Sequence, residues 1–586
     1  MVAATKNVML MPNKIRIWHG RLSLILLLVT AGIALGLQTS KLVQAETEPP
    51  LFLISGQLVD NLEQPIAEAQ VMLQAEEESE PIAESESQEN GSWLLQLSEA
   101  PPDTAVLVIE RHHFQTLTMP LETAVPGIFN DEPAATYNAG VLTMERRITI
   151  GFWAATLIFL GVLLLIALEK LHSTTAALAG LSMVMIVTFI GQAFSPDWYI
   201  LDFERALTYI NWEVIFLVMA MMIVIAIIEE TGIFQWTAFQ AYRLSGGRVW
   251  LLVLILMLVT AVASALLDNF TTMLLMTPIS LQIGVALGIN PLALIIPEVL
   301  ASNVGGISTL IGTPTNILIG AYANIGFTDF LVNQTIGILI ALAAMAGYVL
   351  YHYRRDLFKH GSGISPALYA RLEKNARIEN TAVLWKSGLV FLLTLVGFVL
   401  GERYHVIPAV PALIGATVLL IWLKPDIQRM IKAVDWTTLV FFMALFMVVG
   451  AVQEVGLISL IAQALSSIVG QSMPLAVLVV VFGVGTLSVA IANIPLAASM
   501  LPVVEFLSGS IPGGSSKVLY YALSMGAAMG GNGFLVGGEA NLVTAGITSQ
   551  AGSPISFKEF MKVGLPVTYL TLAVGYIWLA IRFAIF

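Results

Sequence analysis

From Arg147 onward the chain alternates apolar runs long enough to cross a bilayer with short polar loops. In hydrocarbon the backbone polar groups must be paired within the chain, and a run of that length meets the demand by winding into a helix. Spans are expected near 149–168, 172–193, 213–229, 291–322, 333–351, 387–401, 409–423, 437–453, 518–548 and 563–584. Two further stretches, 249–289 and 474–508, are split by a polar or proline-bearing centre, so each reads as a re-entrant hairpin or as two full helices. Composition agrees. The chain is 57% hydrophobic and 11% charged, against about 25% charged in soluble domains, which excludes a purely soluble protein. Lysine and arginine placement orients the bundle: loops on one side hold 15 bases, seven of them between Arg354 and Lys386, and the other side holds six. The positive-inside rule puts the base-rich side in the cytoplasm and residue 145 outside.

The net charge of -12 hides three unlike segments. Residues 1–45 carry +5, and their bases precede the apolar run Leu22 to Leu37 and the small-residue pattern Val43-Gln44-Ala45. That is a signal peptide or signal anchor, and either exports the acidic segment behind it. Residues 46–145 carry -18 and residues 146–586 carry +1. In the acidic segment LFLISGQLVD, AEAQVMLQ, NGSWLLQL and TAVLVIER read as strands, with EEESEPIAESESQEN as a solvated loop. The pattern S-G-x-[LV]-V-D-x-x-x-x-P-I-x-x-A-x-V, Ser55 to Val71, resembles the transthyretin-like or carboxypeptidase regulatory-like sandwich of exported proteins. His112 and His113, adjacent on a strand, point to opposite faces and read as surface residues rather than a metal site. The absence of cysteine excludes disulfides and thiolate metal ligation.

Self-comparison shows an internal repeat. Trp212 to Gly232 aligns with Trp436 to Gly456 at an offset of 224, and the same offset places Asp268-Asn269 and Pro278 on Ala492-Asn493 and Pro502. With one residue more, Gly305-Gly306 through Gly312 to Asn316 falls on Gly530-Gly531 through Gly537 to Asn541. Phe327-Thr-Asp-Phe330 echoes Phe557-Lys-Glu-Phe560. Each half has an odd number of crossings beside its split stretch, so the second half enters the membrane upside down relative to the first. Inverted repeats with discontinuous helices are the architecture of secondary transporters, whose sites lie where the broken elements meet.

A stretch such as GGISTLIGTPTN is a poor helix, and in lipid such backbone survives only where protein buries it or it lines a cavity. Its freed carbonyls suit a cation, and half-helix N-termini suit an anion. The candidate substrate and ion site therefore comprises Asp268, Asn269, Thr271 and Asn493 at the split stretches. Around the first unwound segment it takes Asn303, Gly306, Thr309, Gly312, Thr313 and Asn316, and around the second Gly531, Asn532, Glu539 and Asn541. Thr272 adds a neutral oxygen. A sodium ion is expected at Asn269, Asn316, Asn493 and Asn541. A membrane acid costs about 2.5 to 3.5 kcal/mol on insertion scales, so Asp268, Glu539 and Glu298 each need a reason. Glu230 and Glu454, at equivalent ends of the repeated helix, read as interfacial caps or packing partners.

The strings SALLDNFTTMLLMTPI, EVLASNVGGISTLIGTPTNILIG and GGNGFLVGGEANLVTAGI, with ISFKEFMKVGLP after the last, resemble the ion transporter superfamily. The likeness is in particular to its citrate-transporter-like branch, with arsenite permeases, D-type sodium/proton antiporters and the melanosomal P protein. The resemblance covers about 147–586. It implies a scaffold domain, a moving transport domain, two re-entrant hairpins with polar tips, elevator-like alternating access and a homodimer. Three departures stand out: Ala492 where the family commonly has Asp, Phe534 and Glu539 where it has Thr and Ser, and Thr313 where many members have Asp. Glu539 is read as replacing the carboxylate missing at 492.

The expected fold is an all-α polytopic membrane protein, an inverted repeat with two re-entrant hairpins and two discontinuous helices, carrying a small N-terminal extracytoplasmic β-sandwich. Its segments are 1–45 (signal), 46–145 (sandwich), 146–351 (first repeat), 352–386 (cytoplasmic linker) and 387–586 (second repeat). The expected function is secondary active transport across the cytoplasmic membrane of a small anion, of the carboxylate or oxyanion class, coupled to sodium or protons. Sodium/proton antiport through Asp268 and Glu539 is the alternative, with a passive channel on the same fold as a third reading. No cofactor, enzymatic activity or nucleic-acid partner is expected. The partners are lipid, the transported ion and a second copy of the chain.

Overall fold

A computed structural model describes residues 52–585, apart from 62, 76–79, 100, 103, 122–124, 130–131, 169, 359–368, 370–372 and 375. The signal segment lies outside the described residues. The chain divides into two compact units, one ending at Glu145 and the other running from Arg146.

Among the described residues the first unit holds eight strands: β1 (Phe52–Val59), β2 (Gln70–Gln74), β3 (Pro81–Glu86), β4 (Ser92–Leu97), β5 (Val106–Glu110), β6 (Leu117–Pro120), β7 (Val125–Phe129) and β8 (Glu132–Thr143). They form two four-stranded sheets, β4-β1-β8-β7 and β3-β2-β5-β6. Strand alternation turns Ile54, Leu58, Val71, Leu73, Leu95, Leu107 and Ile109 into one shared core. Gly56 is required by packing, because a Cβ there would lie 2.7 Å from the indole of Trp93. Two expectations are corrected. The acidic stretch 76–90 contains an edge strand, since β3 pairs with β2 from Gln70–Glu86 onward and its acids face solvent. His112 and His113 lie in a turn after β5, with His113 buried at φ 67, so a turn and not strand alternation sets their directions.

The second unit is helical. Its first part comprises α1 (Ile150–Ala167), α2 (Ser173–Gly191), α3 (Trp212–Glu229), α4 (Ile233–Ser245), α5 (Val249–Leu266), α6 (Asn269–Ala286), α7 (Leu292–Gly305), α8 (Pro314–Ala323) and α9 (Phe327–His352). The second part comprises α10 (Thr381–Arg403), α11 (Ala409–Leu423), α12 (Trp436–Glu454), α13 (Leu457–Val469), α14 (Met473–Ser488), α15 (Asn493–Ser510), α16 (Val518–Gly530), α17 (Glu539–Gln550) and α18 (Phe557–Arg582). Among the described residues eight of these, α1, α2, α3, α5, α9, α10, α12 and α18, are long and apolar enough to cross a membrane. The runs 291–322 and 518–548 are interrupted after Gly305 and after Gly530, at the glycine-rich stretches that read as poor helix. The helices α4 and α13, each of 13 residues, were not among the expected spans because they are too short to cross one.

The repeat reappears as geometry. Helices α3 to α6 begin at residues 212, 233, 249 and 269, and α12 to α15 begin at 436, 457, 473 and 493, each 224 later. Both α4 and α13 follow a left-handed glycine, Gly232 at φ 78 and Gly456 at φ 92, where a side chain would be strained. The packing is reciprocal as well: α2 lies on α12 and α11 on α3, while α6 packs on α17 and α15 on α8. Ion pairs close the relation. Arg205, on a short helix before α3, bonds Glu454 at the end of α12 at 2.6 Å, and Tyr209 donates to the same carboxylate at 2.7 Å. Arg429, before α12 and 224 residues after Arg205, pairs with Glu230 at the end of α3 at 3.0 Å. A start joined to an end at both sites means that α3 and α12 run antiparallel. Glu230 and Glu454 are therefore ion-pair partners across the two halves.

Candidate functional site

The two helix interruptions are built alike. After α7 the chain passes through a tight turn at Gly306–Ser308 and an extended Thr309, then restarts at Pro314 with Thr313 as the N-cap of α8. The Asn316 side-chain amide reaches back from α8 and donates to the carbonyls of Ile307 at 3.1 Å and Thr309 at 2.8 Å. After α16 the same device recurs: the Asn541 amide donates to the carbonyls of Gly531 at 2.8 Å and Phe534 at 2.9 Å. Each loop crosses itself at two glycines. A Cβ on Gly312 would lie 2.3 Å from the Gly306 oxygen, and one on Gly537 would lie 2.7 Å from the Gly531 oxygen. The helix before each loop is also pinned to an earlier helix, Ser264 of α5 donating to the Ser302 carbonyl of α7 at 2.8 Å and Ser488 of α14 to the Ala527 carbonyl of α16 at 2.7 Å. Thr309 directs its hydroxyl onto the Ala265 carbonyl. Substitution of Gly312 by Ala is therefore expected to cost more than about 2 kcal/mol, because the obstructing atoms are backbone and cannot yield. Thermal unfolding of the detergent-solubilised protein checks this, and an unchanged midpoint contradicts it.

Between the two loops an amide chain joins the halves. Asn269, at the first turn of α6, donates to Asn303 on α7 at 2.9 Å. Asn303 donates to Asn532 and Asn541, each at 2.9 Å. Asn532 and Asn541 are completely buried and Asn303 nearly so. Asn316 is tied across as well, accepting from Ser524 on α16 at 2.6 Å. The second half lacks the counterpart of Asn303, since the aligned residue is Ala528, and Asn493 is buried at the first turn of α15. The oxygens of Asn269, Asn316 and Asn541 already accept hydrogen bonds, Asn269 from Phe270 N at 3.1 Å. These amides build the loops. Glu298 lies apart, fully buried between α6 and α7 and bonded by the Ser280 hydroxyl at 2.9 Å.

Asp268 is the N-cap of α6, accepting from Thr271 N at 2.7 Å and the Thr271 hydroxyl at 2.8 Å. Capping by an acid complements the positive end of the helix. Glu539 is the first residue of α17. Both line one small cavity beside Pro314 and α3, and a third acid, Asp435, lines it with them. That cavity adjoins a vestibule of about 700 Å³ bounded by the start of α2, the start of α12 and the 492 turn, with Asp435 and Glu539 in its wall. Among the described residues lining the two spaces none is lysine or arginine, and His172 is the single histidine. No group of three His, Cys, Asp or Glu among the described residues is placed to hold a metal. Sequence reasoning missed Asp435. The available signal was its place one residue before the aligned Trp212 and Trp436, opposite Asn211.

Apart from Asn493, which stands at the first turn of α15 and lines neither space, the site candidates fall into two sets. Asp268 and Glu539 face the cavity, with Thr271 holding Asp268, while Asn269, Asn303, Asn532, Asn541, Asn316, Gly306, Gly312, Gly531, Thr309 and Thr313 shape the loops behind it. A family model described as "Citrate transporter" matches residues 163–516, more than half of the chain. The chain belongs to the citrate transporter family. A 46 kDa membrane protein of Mycobacterium leprae is 36% identical over 436 residues, covering 74% of this chain and 99% of that one. An uncharacterized transporter of Mycobacterium tuberculosis is 35% identical over 431 residues, covering 73% and 98%. The human P protein is 32% identical over 521 residues, covering 75% of this chain and 60% of its own length. As a citrate transporter family member the protein is a multi-pass membrane transporter and not an enzyme.

Proposed function

We propose that the protein is a secondary active transporter of the cytoplasmic membrane that exchanges sodium for protons at Asp268 and Glu539 by alternating access. The carrying observation is that these two acids, one from each half, share a cavity whose described lining has no lysine or arginine. An ionised carboxylate moved through hydrocarbon costs about 2.5 to 3.5 kcal/mol. Two empty acids therefore resist translocation, and a bound cation or proton removes that barrier, which couples movement to loading. One charge descending 100 mV releases about 2.3 kcal/mol, of the same order.

The inverted-repeat reading is supported by the antiparallel course of α3 and α12 and by their reciprocal ion pairs. In this reading α5–α6 and α14–α15 are the re-entrant hairpins, and α7–α8 and α16–α17 are the discontinuous helices of the moving body. The scaffold is α1–α3 with α10–α12. The base distribution supports a cytoplasmic start of α12, hence a vestibule that opens inward, and an extracytoplasmic β-sandwich.

A second reading, symport of an anion such as a carboxylate, is favoured by the description of the family and by the N-terminus of α8, which no carboxylate caps. Proteoliposome flux separates the two. Sodium alone is expected to dequench an internal pH dye. Sodium-dependent uptake of citrate, succinate or arsenite, without that dequenching, replaces exchange with symport, and single-channel currents replace both with a channel.

A further inference from the structure

The two halves carry equivalent helix caps of unlike charge. Asn211 caps α3 by accepting from Val214 N at 3.1 Å. Asp435, 224 residues later, caps α12, accepting from Thr437 N at 3.0 Å, Thr438 N at 3.2 Å and the Thr438 hydroxyl at 2.6 Å. Because α3 and α12 are antiparallel, these caps lie at opposite ends of the helix pair. Asp435 stands in the wall common to the vestibule and the inner cavity, with Glu539 beside it, whereas Asp268 lines the inner cavity alone. Asp268 and Glu539 both lie within electrostatic reach of Asp435.

We propose that Asp435 is a positioning residue that makes the Asp268–Glu539 site bind its cation more tightly when it faces the α12 cap than when it faces the α3 cap. The inference rests on the alternating-access reading above. Asp435 belongs to the group α2, α3, α11 and α12, while the two acids are carried by α6 and α17, which pack on each other. Movement of one group past the other changes the distance between the acids and this fixed charge. Three donors at a helix N-terminus hold the Asp435 carboxylate in place. A third negative charge in a partly desolvated cavity penalises two empty acids and rewards their loading. On the opposite face the equivalent cap, Asn211, is neutral, and the acid nearest it along the chain, Glu213 in the first turn of α3, is not a cap, so in this proposal the site releases its ion more readily there. The titratable groups facing the site in this form are Asp268 from α6, Glu539 from α17, Asp435 from α12 and, across the vestibule, His172 from α2.

The test is the sidedness of sodium affinity. The full chain is reconstituted into right-side-out and inside-out vesicles, and half-saturating sodium is read on each face by pH-dye dequenching. Wild type is expected to need about tenfold less sodium on the Asp435 face. Asp435→Asn keeps a competent cap and is expected to bring the two faces within about twofold of each other. Asn211→Asp, with Asp435 intact, is expected to equalise the faces by tightening the other one. The double exchange is expected to reverse the ratio. A symmetric wild type, or an Asp435→Asn protein that keeps the wild-type ratio, overturns the inference while exchange itself stands. Wild-type vesicles with no sodium- or proton-coupled flux overturn the exchange reading and the inference together.

Discussion

Asp268→Asn is expected to lower sodium-driven proton flux by about a hundredfold or more while the protein still folds. Asparagine caps a helix about as well as aspartate, so the bond from Thr271 N and the start of α6 survive. What disappears is the charge proposed to bind the cation, so the expected loss concerns coupling rather than assembly. Thermal unfolding within a few degrees of wild type, together with lost flux in proteoliposomes, is the expected pair of results. Glu539→Gln is expected to behave similarly, and its fold is still less exposed to the change because Gly538, not Glu539, occupies the N-cap of α17. A Glu539→Gln protein that transports at wild-type rate with unchanged cation dependence removes Glu539 from the mechanism. In that case it cannot stand in for the acid replaced by Ala492.

The second large effect is on stability. Asn303 accepts from Asn269 and donates to Asn532 and Asn541, so Asn303→Ala strands three buried polar atoms. Each costs about 1 to 3 kcal/mol when left unpaired, which predicts a loss of about 3 to 9 kcal/mol. Asn493→Ala, at the equivalent of Asn269, is the control and is expected to cost less than about 1.5 kcal/mol, since the residue aligned with Asn303 there is already Ala528. Unfolding midpoints in lipid nanodiscs compare the two. Equal losses contradict a central role for the amide chain and place the cost in packing alone.

Much of the architecture was legible because it is local or repeated. Gly305-Gly306, Gly312 and Pro314 mark a helix that cannot continue, and the structure ends α7 and restarts α8 at those residues. The 224-residue offset recurs in the starts of α3 to α6 and α12 to α15 because each start is set by its own cap and apolar run. The short helices α4 and α13 were not legible as spans, and the edge strand β3 was hidden by its acids. In each case the missing information lay in the partner: β3 exists because β2 supplies hydrogen bonds.

The candidate site divides along the same line. Asp268, Glu539, Asn316 and Asn541 could be picked from the string because an acid in an apolar run, or an amide after a glycine break, has few reasons to be there. Their roles could not. Asn316 and Asn541 spend their amides on loop carbonyls seven to ten residues away, and Asn303 bridges halves more than two hundred residues apart. Asp435 sat unnoticed in a polar loop, and proximity in space, not sequence, brings it to the cavity. The amino-acid sequence alone determined what depends on short stretches and solvent: the membrane-length helices, their interruptions, the duplication and the acidic N-terminal segment. The tertiary structure alone decided which carboxylates share a cavity, which amides merely hold loops, and which arginine answers which glutamate. Those outcomes depend on distances between elements remote in the chain, and short-range hydrophobic patterning carries no record of them.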